Sequence, residues 1–408
     1  MNKPIELFSL GKLYVSDFTL QSDNNERKKY DLTITLDQET ELLRLTSTPP
    51  KDMMWGKYWY RSGTNATMRD ELKNIVESVL TTIPYNNDDV FLDIACNEGI
   101  LLGNVPSNFY KVGIDPADYS FKKESEKVSD LIIQDYFSAN KYKEKMGDSK
   151  AKIITIIAMF YDLENPTEFL NDVIEIMDDD GILVIQMSYT PLMLKQLAFD
   201  NIVHEHCYYY TLSSFKKLLT GVGLNIVDVE LNDVNGGSFR VYIRKNTANI
   251  KDFKTSPYRD VANFRINSLL KYEESLKLND VETYEKFYQD ILQLKQETVD
   301  FIKREKAKGK TIWAYGASTK GNTLLQWYGL DNTYIDGIAE RSEYKYGLKT
   351  VGTNIPIFSE EDMRKANPDY LLILPWHFVN EFKKRESNYL ENGGKFIIPC
   401  PKFEIISR

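Results

Sequence analysis

The chain contains very few of the residues from which metal sites and disulfide frameworks are built. Its 408 residues include only three histidines and three cysteines, Cys96, Cys207 and Cys400. Cysteines this far apart predict neither a disulfide framework nor a zinc ribbon. Zinc prefers thiolate or imidazole ligands in fours, and the first fifty residues contain neither type of side chain. We therefore expect no metal ion, and in particular no zinc.

Long apolar runs and an excess of positive charge are missing as well. No apolar stretch reaches membrane-spanning length, and the start, Met1-Asn2-Lys3-Pro4, lacks a signal-peptide core. The net charge of −9 argues against nucleic-acid binding through phosphate contacts. The length predicts two or three domains, each with its own core. We expect a cytoplasmic enzyme or binding protein, and the oligomeric state, a monomer included, stays open.

Two of the three histidines lie in residues 201–210, where His204 and His206 flank Glu205 and three tyrosines follow. An imidazole titrates near neutrality, so it can take and return a proton at cellular pH. In an extended segment both histidines share a face, whereas a turn brings Glu205 close to His206. The alternatives are a surface loop with a chance pair of histidines, or a metal site. A metal site needs further ligands, and His377 is the one histidine left.

The middle of the chain opens with a strand at Val90–Ile94, a turn at residues 95–99 and a helix. A second strand, Tyr110–Ile114, ends on Asp115. This order is typical of a doubly wound nucleotide-binding sheet, in which the acid suits a ribose diol. A dinucleotide site would need G-x-G-x-x-G, and the single Gly99 favours S-adenosylmethionine (SAM) over NAD. The alternative for Asp115 is a surface acid at the end of a strand.

Alternating strands and helices continue, and they predict a mainly parallel sheet covered by helices. Residues 247–308 are charged and helical, and residues 309–408 predict a second, smaller α/β domain. Its first strand-to-helix turn, residues 315–323, combines small residues, hydroxyls and Lys320. Such a turn offers backbone N–H groups and a positive charge to a phosphate, although the P-loop spacing is absent.

Five stretches, in this order and spacing, resemble the sugar-nucleotide C-methyltransferases that act on 4-keto-6-deoxyhexoses. They are Tyr58-Trp59-Tyr60-Arg61-Ser62-Gly63, Asp93-Ile94-Ala95-Cys96-Asn97-Glu98-Gly99, His204-Glu205-His206, Asn235-Gly236-Gly237-Ser238-Phe239-Arg240 and Gly316-Ala317-Ser318-Thr319-Lys320-Gly321-Asn322. The resemblance covers nearly the whole chain. It implies a β-rich N-terminal segment at 1–50, a class I SAM-methyltransferase sheet at 51–246, a helical connector at 247–308 and a Rossmann-like nucleotide-sugar domain at 309–408.

The resemblance also implies roles for individual residues. His206 would be the base that removes a proton beside the ketone, oriented by Glu205, with His204 and Tyr60 as further catalytic candidates. The implied cofactor-binding residues are Asp93, Ala95, Cys96, Asn97, Gly99, Asp115, Asp135 and Met159. The implied residues for the nucleotide sugar, a small-molecule partner, are Tyr58, Asn235, Gly237, Ser318, Lys320, Asn322 and His377.

The sequence departs from the family pattern in two places. The second cysteine pair of the family's zinc module would fall near Asp37 and Thr40, where no thiolate exists. Val203 stands where the family often has tyrosine, so help at the enolate would have to come from elsewhere, with Tyr60 nearest by motif. Two rivals remain: O- or N-methyl transfer from SAM to a related sugar, and a nucleotide-sugar-binding protein that has lost catalysis.

Overall fold

The computed structural model describes residues 3–55, 58–248 and 256–408, apart from the side chains of residues 52, 55 and 256–259. Part of the aromatic stretch before Tyr58 and the start of the predicted connector therefore lie outside the described residues. The strands β1 to β19 are Ile5–Tyr14, Phe18–Leu20, Lys29–Asp37, Leu42–Leu45, Val90–Ile94, Tyr110–Ile114, Leu131–Ile133, Ala151–Ile157, Met177–Ser188, Tyr208–Tyr209, Leu224–Asn232, Ser238–Lys245, Ile312–Tyr315, Ile338–Glu340, Leu348–Thr350, Ile357–Ser359, Tyr370–Ile373, Lys395–Ile398 and Glu404–Ile406. The helices α1 to α13 are Lys51–Trp55, Ala66–Val79, Tyr119–Ser125, Ala139–Met146, Pro166–Ile176, Thr190–Lys195, Leu212–Gly221, Ser256–Ser275, Val281–Ala307, Thr319–Tyr328, Glu360–Ala366, Val379–Arg385 and Ser387–Glu391.

The central sheet has the strand order β11-β12-β9-β8-β5-β6-β7. β12 runs antiparallel to both of its neighbours, and the strands from β9 to β7 pair in parallel. Alternate residues pack into different cores: Phe91 and Ile153 lie in one, Leu92 and Ile154 in the other. Helices therefore cover both faces, and the predicted doubly wound arrangement is confirmed.

The N-terminal sheet has the order β1-β3-β4-β10, with antiparallel pairing throughout. Its last strand, β10, begins two residues after His206 and comes from the middle of the chain. β2 instead pairs with β15 of the C-terminal region. Strand pairing therefore joins segments on opposite sides of the boundaries expected at residues 50 and 309.

The C-terminal sheet has the order β16-β14-β13-β17-β18-β19, parallel except for its last strand. The long helix α9 buries Phe287, Ile291 and Leu294 in the core beside this sheet. β1 packs on the same helix, where Phe8 stacks on Tyr288 with ring centroids 5.2 Å apart. The N-terminal sheet and the C-terminal domain thus share one hydrophobic core.

Across the described ranges, none of the helices has the length and apolar content that a bilayer crossing requires.

Candidate active site

A cavity of about 1010 Å³ lies at the carboxyl ends of β5, β6 and β8. Loops that follow parallel strands meet at this edge of a sheet, which is why the cavity forms there. A smaller cavity of about 160 Å³ lies at the carboxyl ends of β13 and β14 in the C-terminal sheet. Tyr60, Asn235 and Lys320 line both cavities, so the two spaces adjoin. Six of the predicted cofactor residues line the larger cavity: Asp93, Ala95, Cys96, Asn97, Asp115 and Met159.

The turn after β5 has an unusual backbone. Ala95 and Asn97 have φ values of 62° and 52°, in the left-handed region that residues other than glycine rarely adopt. The Asn97 N–H donates to the Asp115 carboxylate at 2.7 Å, and its side-chain NH₂ donates to the Tyr60 carbonyl at 3.0 Å. The N–H of Ser62 donates to the side-chain oxygen of Asn97 at 3.1 Å. These contacts hold the turn in a conformation that its residues would not adopt alone.

Two carboxyl groups, those of Asp93 and Asp115, lie close to this turn. Asp115 accepts the backbone N–H groups of Asn97 and Ala117, yet burial outweighs these bonds and raises the pKa of the carboxyl. Asp93 accepts the hydroxyl of Thr155 at 2.6 Å, and burial, with a smaller effect of Asp115, raises its pKa to about 7. A carboxylate oxygen accepts more than one hydrogen bond, so Asp115 retains capacity for hydroxyl groups of a ligand.

The His-Glu-His segment is a turn, because the His206 N–H donates to the Val203 carbonyl at 3.1 Å. The two histidines consequently point to different places. His204 is fully buried against the N-terminal sheet, with Nε2 3.2 Å from the Tyr30 carbonyl oxygen, and it does not line the cavity. Glu205 and His206 both do.

The hydrogen bond of His206 defines its tautomer. Nδ1 lies 2.7 Å from the carbonyl oxygen of Asn201, which can only accept, so Nδ1 carries the proton. Nε2 has no hydrogen-bond partner among the described residues, and the ring borders the cavity. Burial and the nearby Lys320 lower the pKa of His206 to about 3, which keeps the ring neutral. The expected orienting group, Glu205, does not hold the imidazole; the turn presents the Asn201 carbonyl instead.

Glu205 lies close to a second acid and a tyrosine that the sequence alone did not single out. Burial raises the pKa of Glu205 to about 7. Burial and the charge of Glu205 also raise the pKa of Asp162, and both side chains have a buried oxygen without a partner in the described part of the chain. The Tyr161 ring lies 4.1 Å from that of His206, measured between centroids. Tyr161 and Asp162 follow β8, so the strand-end rule that identified Asp115 also applies to them.

The C-terminal domain contributes Lys320 to the larger cavity. Ser318 caps α10 by accepting the Gly321 N–H at 2.9 Å, which positions the first turn of this helix. From that turn, Lys320 Nζ donates to the side-chain oxygen of Asn201 at 2.6 Å. His377 lines only the smaller cavity, and burial, with the charge of Lys320, lowers its pKa to about 3.

Two predicted site glycines have packing roles. Gly99 has φ +77°, and a Cβ there would lie 2.9 Å from the Ser125 Cα. Gly237 has φ +106°, and a Cβ there would lie 2.6 Å from the Leu192 Cβ. Neither glycine lines either cavity. They are needed for close approach within the protein.

Two further predicted residues lie away from the cavity walls. The Asp135 side chain pairs with Lys141 at the surface, and its neighbours in the chain line the cavity instead. The Asn322 side chain is buried, and its NH₂ group donates to the Asp17 carbonyl at 3.4 Å. The sequence predicts Asp135 as a cofactor-binding residue and Asn322 as a substrate-binding residue, but neither side chain lines a cavity.

Comparisons with known proteins bear on this site. Residues 64–229 match a family model described as a methyltransferase domain, and residues 233–401 match one described as a C-methyltransferase C-terminal domain. The C-methyltransferase NovU of Streptomyces niveus is 26% identical over 388 residues, which cover 95% of this chain and 90% of that protein. The chain is a SAM-dependent methyltransferase. The predicted class I SAM-methyltransferase fold is confirmed, and the matches support C-methylation in particular.

Two solved structures similar to this methyltransferase each cover less than half of it. The plantazolicin methyltransferase BpumL in complex with SAH has 14% identity and a TM-score of 0.35, covering 43% of this chain and 82% of its own. The mitomycin 7-O-methyltransferase MmcR has 16% identity and a TM-score of 0.34, and the match covers 44% of this chain and 54% of MmcR.

No metal-binding arrangement is visible in the part of the methyltransferase that the structure describes. No three histidine, cysteine or acidic side chains are grouped to hold an ion there, and Cys96, Cys207 and Cys400 are free and buried. The expected absence of zinc stays a prediction.

Proposed function

We propose that this methyltransferase adds the methyl group of SAM to the carbon beside the ketone of a nucleotide-linked 4-keto-6-deoxysugar. The observation that carries the proposal is the His206 tautomer. With Nδ1–H donated to Asn201, Nε2 offers a lone pair beside a cavity that also reaches the carboxyl edge of the methyltransferase sheet. The similarity to a C-methyltransferase over 95% of the chain supports a carbon acceptor.

The wall near β5 and β6 fits the chemistry of SAM. Asp115 would accept the ribose hydroxyls, and residues 93–99 would surround the methionine part, with the Asp93 carboxyl close to its ammonium group. Ala95, Cys96 and Met159 supply apolar contact area. When bound, SAM supplies a methyl group made electrophilic by its positively charged sulfur.

The acceptor chemistry would use other residues that line the same cavity. The ketone acidifies the neighbouring C–H bond because the resulting charge delocalises onto oxygen. His206 Nε2 would take that proton, and the electron pair of the broken bond would form the enolate. That pair would then form the new carbon–carbon bond while the methyl–sulfur bond of SAM breaks and leaves its electron pair on sulfur. Tyr161 lies outside the predicted motifs, but its ring packs on the imidazole of His206. We therefore add Tyr161 to Tyr60 as a candidate hydroxyl donor to the enolate. Holding the partners in place would supply much of the rate enhancement.

The smaller cavity suits the nucleotide diphosphate. Arg341, Lys345 and Arg385 line it together with Ser318 and His377, two of the predicted substrate residues. Lys345 already pairs with Glu340 and Arg385 with Glu360, which leaves Arg341 as the cation most available to a diphosphate. Guanidinium and ammonium groups bind phosphate through charge-assisted hydrogen bonds. The sugar would then extend through the junction lined by Tyr60, Asn235 and Lys320, with Tyr58 on the wall of the larger cavity.

The proposal is tested with SAM carrying a ¹³C-methyl group and a panel of nucleotide-linked 4-keto-6-deoxyhexoses. We expect a methyl carbon whose NMR shift and coupling identify a carbon-bound methyl group. In deuterium oxide without SAM, the C–H beside the ketone should exchange. A methyl group on oxygen or nitrogen would favour the rival transferase, and sugar binding without SAM binding would favour the non-catalytic protein.

A further inference from the structure

Asn201 makes two contacts that join different parts of the molecule. Its carbonyl oxygen accepts from His206 Nδ1 at 2.7 Å, and its side-chain oxygen accepts from Lys320 Nζ at 2.6 Å. Asn201 is 1% exposed, and the hydroxyl of Ser188 lies 3.3 Å from the same side-chain oxygen. One buried residue therefore fixes both the imidazole and an ammonium group from the C-terminal domain.

The Lys320 ammonium retains unused hydrogen-bonding capacity. It has three N–H donors, and one of them is used by Asn201. Asp200 and Asp162 attract its charge from a distance, but Lys320 forms no ion pair within 4 Å in the part of the chain that is described. A desolvated ammonium is stabilised by an anion or a strong acceptor. The free donors lie where the two cavities meet, so a bound substrate is the natural partner.

Two groups of the proposed substrate compete for this ammonium, the diphosphate and the ketone oxygen. Other cations are available for the diphosphate: Arg341, Lys345 and Arg385 line the smaller cavity, and Arg27, Lys28 and Lys51 line the larger one. Lys320 instead shares its anchoring residue with the base. The hydrogen removed by the base and the ketone oxygen are on adjacent atoms, so a base and an oxyanion donor held side by side match the enolate.

We propose that Lys320 donates a hydrogen bond to the ketone oxygen and stabilises the enolate, and that Asn201 positions Lys320 and His206 on the same enol system. This inference rests on the proposed function. The C–H bond breaks, its proton moves to His206 Nε2 and its electron pair moves toward oxygen. Lys320 keeps its proton and donates a hydrogen bond to the developing charge. Because His206 is a weak base when buried, deprotonation depends on such stabilisation of the product side.

A kinetic test separates the two possible partners of Lys320. The probe is thymidine diphosphate-4-keto-6-deoxyglucose, followed by hydrogen–deuterium exchange beside the ketone and by methyl transfer. We expect Lys320→Met to lower both rates about 10²–10³-fold with KM nearly unchanged. Lys320→Arg should restore part of the rate, and the exposed Lys402→Met should match the wild type. A raised KM with unchanged kcat would assign Lys320 to the diphosphate and overturn the proposal.

A second test needs no substrate. The chain has three histidines, so ¹⁵N NMR of labelled imidazoles can follow each of them. His206 should show a proton on Nδ1, and its pKa should rise in Lys320→Met because a repelling charge is removed; Tyr161, Glu205 and Asp162 also face this part of the cavity. An unchanged His206 titration would overturn the placement of Lys320. If the wild type neither exchanges nor methylates this probe or any other sugar of the panel, the proposed function fails, while the NMR result still decides the placement.

Asn201→Ala separates the two contacts of the positioning residue. The backbone carbonyl remains, so His206 should keep its tautomer, while Lys320 loses its anchor. We expect kcat to fall less than in Lys320→Met, with a smaller rise in the His206 pKa. A variant that folds and retains both the wild-type kcat and the wild-type titration would show that Asn201 does not position Lys320.

Discussion

The proposed cofactor end of the main cavity, around Asp115, and its proposed acceptor end, around His206, are assembled in different ways. The cofactor end consists mostly of loops that follow β5, β6 and β8 of one sheet, and Asn97 to Asp115 is a contact within these loops. Tyr60 and Ser62, from the segment before α2, add contacts to Asn97. The acceptor end combines Tyr58, Tyr161, His206 and Lys320, which come from four distant segments. Changes at the cofactor end should therefore affect one ligand, whereas changes at the acceptor end should affect chemistry that several segments create together.

The carboxyl groups at the two ends differ in their hydrogen bonding. Asp115 accepts two backbone N–H groups, and Asp93 accepts the Thr155 hydroxyl. At the acceptor end, Glu205 and Asp162 each have a buried oxygen with no partner among the described residues. Asp115 and Asp93 thus have hydrogen-bond donors in the free protein. Glu205 and Asp162 each need a ligand or a proton to satisfy their remaining oxygen.

The strongest test of the acceptor end is His206→Asn. Turnover should fall about 10²–10⁴-fold, the usual contribution of a general base, because Nε2 supplies the lone pair. SAM binding by calorimetry should stay close to the wild type. The matched control is His204→Asn, which removes the contact with the Tyr30 carbonyl and should lower thermal stability while turnover is largely kept. Near-normal methylation by His206→Asn would assign the proton to another group.

The buried Glu205 predicts a pH-dependent stability. Its pKa in the folded state is about 7, above the ordinary value of 4.5, so between these values the folded state retains a proton that the unfolded state has lost. Its contribution is therefore fully present below about pH 4.5 and disappears as the pH rises to about 7, by up to about 3 kcal/mol. Urea unfolding at several pH values should show Glu205→Gln gaining stability relative to the wild type as the pH rises. A constant difference would contradict the burial of the charge.

Asp115→Ala tests whether the cofactor end serves one ligand. Loss of a hydrogen bond to a charged group costs about 1.5–3 kcal/mol, so the Kd for SAM should rise about 10–100-fold. Binding of the nucleotide sugar should change little. The exposed Asp148→Ala serves as the control. Equal weakening of both ligands in calorimetry would mean that Asp115 supports the cavity as a whole.

Tyr161→Phe and Tyr60→Phe compare two candidate hydroxyls at the acceptor end. Tyr161 packs on the His206 ring, so its loss should lower kcat about 10-fold, roughly the effect of one hydrogen bond. Tyr60 keeps 39% of its surface accessible and should have a smaller effect on kcat than on KM. The reverse order would restore Tyr60 as the hydroxyl that replaces the family tyrosine at Val203.

The smallest effect is expected from metal removal. Dialysis against a chelator should leave the melting temperature and turnover unchanged, because the first fifty residues offer no thiolate or imidazole. Elemental analysis should find no stoichiometric zinc. One zinc per chain would show that ligands from other parts of the chain form a site.

Local patterns in the sequence were enough to predict the secondary-structure elements and most residues of the proposed cofactor end. The alternation of strands and helices predicted the doubly wound sheet, and the position of Asp115 after a strand placed it on the cavity wall. Strand ends of a parallel sheet always meet at one edge, so a local signal has a spatial meaning there. Asp135 shows the limit: it also follows a strand, but its side chain turns outward to Lys141.

At the acceptor end, the tertiary structure determines which side chains meet. The sequence predicted catalytic roles for His204, Glu205 and His206. The turn at Val203, however, directs His204 toward the N-terminal sheet and brings His206 Nδ1 to the Asn201 carbonyl. Tyr161 and Lys320 lie 45 residues before and 114 residues after His206 in the chain, and only the packing of the domains brings them to it. The tautomer and pKa of an imidazole depend on the atoms around it, and those neighbours are determined by the fold.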